Sequence, residues 1–114
     1  MTFDENSNTF EISSLADFEL AIKYAEYYAE NYTFDFVNSS LDLEGKQFYL
    51  PSNVQIKGLS KISNGFIEIA DNSGLGYGIN DVNEIENCGI VLGLEATLFN
   101  SIGFDLNNLT LTNN

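Results

Sequence analysis

The chain has 114 residues, with 17 acidic side chains against four lysines, no arginine or histidine and a single cysteine, for a formal charge of −13. Its length suits one domain, and an apolar content of 44% supports a core rather than disorder. The charge opposes nucleic-acid phosphates and anionic membranes. The lack of His, with Cys88 alone, excludes zinc centres, Ser–His or Cys–His nucleophiles and an internal disulfide.

Residues 1–12 read as a polar lead-in with a short strand over 9–12. They lack the basic and apolar regions of a signal peptide, and no apolar run approaches the ~20 residues that span a bilayer. The expectation is a cytoplasmic protein, or one of a particle assembled there, such as a phage in its host.

A helix is expected over 14–30. Ser14 is its N-cap, with Asp17 three residues on in a capping-box arrangement. Leu15, Phe18, Ile22, Ala25 and Ala29 recur at helical spacing and form an apolar face. Glu19 and Lys23 make an i,i+4 pair. Tyr24, Tyr27, Tyr28 and Tyr32 gather at the helix end. The plainer explanation is packing within the domain, since a buried tyrosine needs only one hydroxyl partner. The functional one is an aromatic face for a partner or a sugar.

From residue 33 onward the period is two. Strands are expected over 33–37, 41–43, 48–50, 54–57, 66–69, 76–79, 83–85, 89–94, 103–106 and 110–112. The most telling stretch is 34–58, where Phe34/Phe36, Leu41/Leu43, Phe48/Leu50 and Val54/Ile56 follow one another as short apolar pulses. Asn64–Gly65 is a hairpin signal that favours an antiparallel sheet. Pro51 cannot donate to a ladder and belongs at a corner. Strands this short bury little alone, and stacking successive turns of parallel strands solves that problem. VQIKGL (54–59), VNEIENCGIVL (82–92) and FDLNNLTLTNN (104–114) share a loose repeat of this kind. Asn87 and Asn108 take comparable turn positions, where a side-chain amide reaches a neighbouring turn or simply closes its own.

The run LADFELAIKYA, then FDF, then FYLPSNVQIKG resembles the start of pectate-lyase-like right-handed parallel β-helix proteins. GFDLNNLTLTNN resembles one of their rungs. The resemblance implies a mainly β fold: a short right-handed parallel β-helix (solenoid) of about three to four rungs with an N-terminal amphipathic capping helix. The alternative is α+β with a small antiparallel sheet. The family's lyases use a basic residue, typically Arg, beside calcium-binding carboxylates. Its hydrolases use clustered Asp. This chain has no Arg and no Lys after Lys61, so none of the family's functional residues carries over.

Two acidic segments, ADNSG (70–74) and NDVNEIEN (80–87), offer oxygen ligands for calcium without the spacing of an EF-hand. No cofactor is implied. Asp81 with Glu84 and Glu86, or Asp71 with Asp81, are the carboxylates that an acid–base pair would draw on. GLGYG (74–78) lacks the helix and Lys that phosphate cradling needs. The functional expectation is therefore a non-catalytic acidic module that binds a protein with a basic surface, such as an inhibitor of a nucleic-acid-binding enzyme, of the phage anti-defence or immunity type. Candidate contact residues are Tyr24, Tyr27, Tyr28, Asp71, Asp81, Glu84 and Glu86. The alternative is a carbohydrate-binding, tailspike-like β-helix fragment. A short coil also leaves Leu109 and Leu111 on an end rung, which suits homo-oligomers stacked end to end.

Overall fold

The computed structural model describes residues 1–70, 84–92 and 110–111. The chain opens with β1 (Thr2–Asp4) and β2 (Thr9–Ile12), paired antiparallel with Phe3 opposite Phe10. The Asp4 carboxylate accepts from Asn6 N at 2.9 Å and closes the turn between them. β1 has only one apolar residue and no alternation to announce it, which is why the lead-in read as a single strand.

α1 (Leu15–Tyr28) follows. Ser14 is extended, and its hydroxyl accepts from Asp17 N at 3.1 Å. The Asp17 carboxylate in turn accepts from Ser13 N at 3.1 Å and from the Ser13 hydroxyl at 2.9 Å. The capping box thus closes on Ser13, one residue before the cap. These bonds, the Ser13 backbone N–H first, hold the Asp17 carboxyl below its ordinary 3.8. The helix stops two residues short of the expected end because Ala29 turns left-handed, at φ 44, and donates to Ala25 O. Removing the cap hydroxyl with Ser14→Ala should cost about 1 kcal/mol in urea melts. A carboxyl held low stabilises the fold at pH above its unfolded value, and that contribution is lost as pH falls through the folded value. The gap between wild type and Asp17→Asn should therefore close below pH 3.8; a constant gap down to acid unfolding would deny the carboxylate its role.

Seven further strands complete the described fold: β3 (Tyr32–Phe36), β4 (Ser40–Asp42), β5 (Gln47–Leu50), β6 (Val54–Lys57), β7 (Lys61–Ile69), β8 (Glu84–Leu92) and β9 (Thr110–Leu111). They form two sheets. The first has the order β1-β2-β3-β6; in the second β4 and β5 both pair with β7, followed by β8 and β9. Among the described strands every pairing but β1–β2 is parallel. The protein is mainly β, with two sheets and one N-terminal helix among the described residues; a small antiparallel sheet is not their frame.

Register aligns like with like. Phe10, Phe34 and Ile56 stand opposite one another across three strands, and Leu41, Ile62 and Ile85 across another three. All six are buried, together with Phe18, Ile22 and Ala25 from the helix. The Phe18 ring meets those of Phe34, Phe36 and Phe48 with centroids 5.3–6.1 Å apart. Cys88 belongs to the same core, and burial pushes its thiol pKa up.

The Asn64–Gly65 hairpin does not form: both residues lie inside β7. A type I′ turn needs two successive left-handed residues. Here Asn64 has φ 58, while Gly65 is not among the glycines with positive φ. One left-handed residue bends the strand without reversing it. Asn87 repeats the bend in β8 at φ 52. The amides stack across the sheet: Asn87 Nδ2 donates to Asn64 Oδ1 at 3.1 Å, and Asn64 Nδ2 to Asp42 Oδ2 at 3.3 Å. Asn87 therefore reaches a neighbouring strand through the side chain of Asn64. Because β7 and β8 run through this bend, the expected separate segments at 83–85 and 89–94 are one strand. The expected strands 76–79 and 103–106, and Asn108, lie outside the described residues.

Candidate functional site

α1 carries two apolar faces. One is the core face of Phe18, Ala21, Ile22 and Ala25. The other points to solvent: Leu20, Tyr24, Tyr27 and Tyr28 are 55%, 38%, 80% and 51% exposed. Steps of four, three and four residues set them along one side of the helix. The Tyr24 and Tyr28 rings lie 4.5 Å apart at 39°, and Tyr27 meets Tyr28 edge-on at 4.8 Å. Tyr24 is anchored from below by Phe3, Phe10 and Tyr32, with centroids 5.2–5.8 Å away. The packing reading thus holds for Tyr32, which is buried, and in part for Tyr24. Tyr27 and Tyr28 project beyond it.

The three candidate tyrosines form one surface, and Leu20 extends it toward the helix start. Leu20 was missed, although its spacing to Tyr24 and Tyr27 is a second helical stripe in the sequence. Met1, exposed as well, joins at that end: its amino group lies 3.9 Å from Asp17. Large apolar side chains gathered on one exposed face mark interaction sites rather than folding needs.

Electrostatics at the other end of the stripe favour cations. The last turn of α1 has no basic residue, so the negative end of the helix dipole is not offset there. Tyr32 donates its hydroxyl to Glu30 Oε2 at 3.5 Å. Burial, reinforced by the Glu30 carboxylate, raises the Tyr32 pKa. Glu19, by contrast, does not pair with Lys23 as expected; it reaches Lys46, just before β5, at 3.1 Å. That contact joins α1 to the second sheet.

Glu84 and Glu86 form a separate set. They stand on β8 and both approach Lys61 Nζ, at 3.4 and 3.5 Å. These bonds, Glu84 first, raise the Lys61 pKa. The two carboxylates are engaged with a lysine on the neighbouring strand rather than presented as an open pair. Asp71 and Asp81, with residues 71–74 and 80–83 of the two calcium-like segments, lie outside the described residues. Among the described residues no three carboxylate or thiol side chains gather at metal-ligand distance, and no helix is long and apolar enough to cross a membrane.

A shallow groove of about 340 Å³ runs over the strand bends, lined by Gly45, Gln47, Asn64, Phe66, Asn87 and Gly89 among others. Its polar groups are uncharged amides beside one aromatic ring.

No protein-family model, curated protein or solved structure matches this chain.

Proposed function

We propose that this protein is a non-catalytic, acidic binding module that docks on a basic surface of a partner protein through the outward face of α1. The observation that carries the reading is the stripe of Leu20, Tyr24, Tyr27 and Tyr28, exposed on a helix whose opposite face already fills the core. Tyrosine is favoured at interface centres because it contributes area at little entropic cost. An excess of 17 acids over four lysines supplies long-range attraction to a basic partner and repels nucleic acid. An inhibitor of a nucleic-acid-binding enzyme, working in the cytoplasm of a phage-infected cell, is the biological role that fits this chemistry.

The scaffold, in this reading, is a short right-handed parallel β-helix akin to the pectate-lyase-like proteins, with α1 as its cap. Support comes from side-chain bonds at sequence separations of 21, 22 and 23 residues, two between neighbouring parallel strands and one between the residues just before β4 and β7, the repeat of a solenoid turn.

The test compares capture by wild type with capture by Leu20→Asp and Tyr27→Ala. Wild type should retain a basic, nucleic-acid-binding protein that elutes as salt rises, and both variants should lose it. Retention of no protein, with binding to a polysaccharide array instead, would overturn the reading. It would favour the carbohydrate-binding alternative, for which the amide-lined groove at Gln47, Asn64, Phe66 and Asn87 is the specific support.

A further inference from the structure

The protein-binding reading leaves open which chemical group the tyrosine face accepts. We propose that the C-terminal end of α1 is a subsite for an arginine side chain of the partner; this rests on the protein-binding reading and sharpens it. Three independent features converge there, and each favours a cation. The helix ends at Ala29 with no basic residue in its last turn, so its terminal carbonyls are not offset by a charge of the same element. Glu30 follows at once, its carboxylate accepting from the Tyr32 hydroxyl at 3.5 Å. The Tyr27 and Tyr28 rings meet edge-on, leaving Tyr27 80% exposed, so a broad ring surface faces solvent. Ring faces carry negative potential and attract cations within about 6 Å.

Geometry distinguishes arginine from lysine. A guanidinium is planar, so it stacks on a tyrosine ring while its fork of N–H donors reaches a carboxylate and carbonyl oxygens together. An ammonium gains the charge attraction without the stack. Lys23, a helical turn before Tyr27, lines the charged side of the helix with Glu19 and Glu26.

Three capped pentapeptides test the subsite: acetyl-Gly-Arg-Arg-Arg-Gly-amide and its lysine and citrulline counterparts, titrated into labelled protein while the tyrosine ring resonances are followed. The arginine peptide should bind about three- to fivefold tighter than the lysine peptide. Its shifts should centre on Tyr24, Tyr27 and Tyr28. The citrulline peptide, planar but neutral, should bind least. Tyr27→Leu should reduce the arginine peptide to the lysine level, Tyr27→Phe should keep the preference, and Glu30→Gln should weaken both cationic peptides. Both side chains, Tyr27 and Glu30, are exposed, so the variants should fold. Equal binding of the arginine and lysine peptides, with shifts spread over the acidic surface, would overturn the subsite while leaving a charge-driven docking module standing. No shift with either cationic peptide would overturn both.

Discussion

Phe34→Ala should cost about 3–5 kcal/mol, the largest loss expected of any single side chain on the helix-facing side of the first sheet. Phe34 is fully buried at the centre of β3. Its neighbours in register are Phe10 on β2 and Ile56 on β6. Its ring meets Phe10 edge-on at 5.7 Å and Phe18 of α1 at 6.1 Å, near 90° in both cases. Truncation therefore removes the side chain that three strands and the helix share. The cavity cannot close by moving one element, because each neighbour is fixed by its own ladder. A domain of this size has total stability of about 5–15 kcal/mol, so the variant should lose at least a fifth of it. At about 4 °C per kcal/mol the melting midpoint should fall by about 12–20 °C. Tyr27→Ala, an equally large truncation on an exposed ring, should stay within about 0.5 kcal/mol of wild type. A loss below about 1 kcal/mol for Phe34→Ala would mean that this column is not the core. The pair of variants separates the two kinds of aromatic residue on which the functional reading depends: those that hold α1 down, and those that α1 presents.

Much of this was legible in the residues, for identifiable reasons. The N-cap at Ser14 and the strand Val54–Lys57 fall where the sequence puts them, because capping and strict alternation are local signals. The pulses from Phe34 to Ile56 marked mostly inward residues: Phe34, Phe36, Leu41, Leu43, Leu50, Val54 and Ile56 are buried, while Phe48 is half-buried at the edge of the core. Non-local pairing was harder. Asn64–Gly65 carries the strongest hairpin signal in the chain, yet the residues that decide its conformation are not adjacent to it. The Asp42 carboxylate and the Asn87 amide hold the Asn64 side chain from both sides, and the parallel partners of β7 leave no room for a reversal. β4 and β5 were visible as two pulses because the preceding pass over the bend carries extra residues: Asp42 opposes Ser63, but Gln47 opposes Phe66. The exposed face of α1 was half legible. Three of its tyrosines stood out as a cluster, while Leu20 was hidden by attention to the core stripe, whose spacing it shares.

The glycine between the two sheets should be nearly as sensitive as the core. Gly58 ends β6 at φ +81, and a Cβ there would lie 2.5 Å from Phe36 O and 3.3 Å from Phe36 N. An alanine faces two costs at once. The left-handed backbone costs about 1–2 kcal/mol, and the contact with β3 costs a further 1–3 kcal/mol because the opposing atoms are backbone and cannot rotate away. Gly58→Ala should therefore lose about 2–5 kcal/mol in urea melts. Gly45 is the internal control: it is also left-handed, at φ +75, but nothing lies within 4 Å of an added Cβ. Gly45→Ala should lose only the backbone share, about 1 kcal/mol. Equal losses at the two sites would show that left-handed strain alone matters and that β3 and β6 are not in close contact at this corner. A larger loss at Gly58 would place the close approach of Phe36 to the corner among the constraints that keep the first sheet in register. That sheet is the platform on which α1 rests, so the same variant should weaken partner capture only in proportion to the fraction unfolded. A weakening beyond that fraction would mean that the corner also sets the pose of the tyrosine face, since Phe36 packs directly against Phe18 on the underside of the helix.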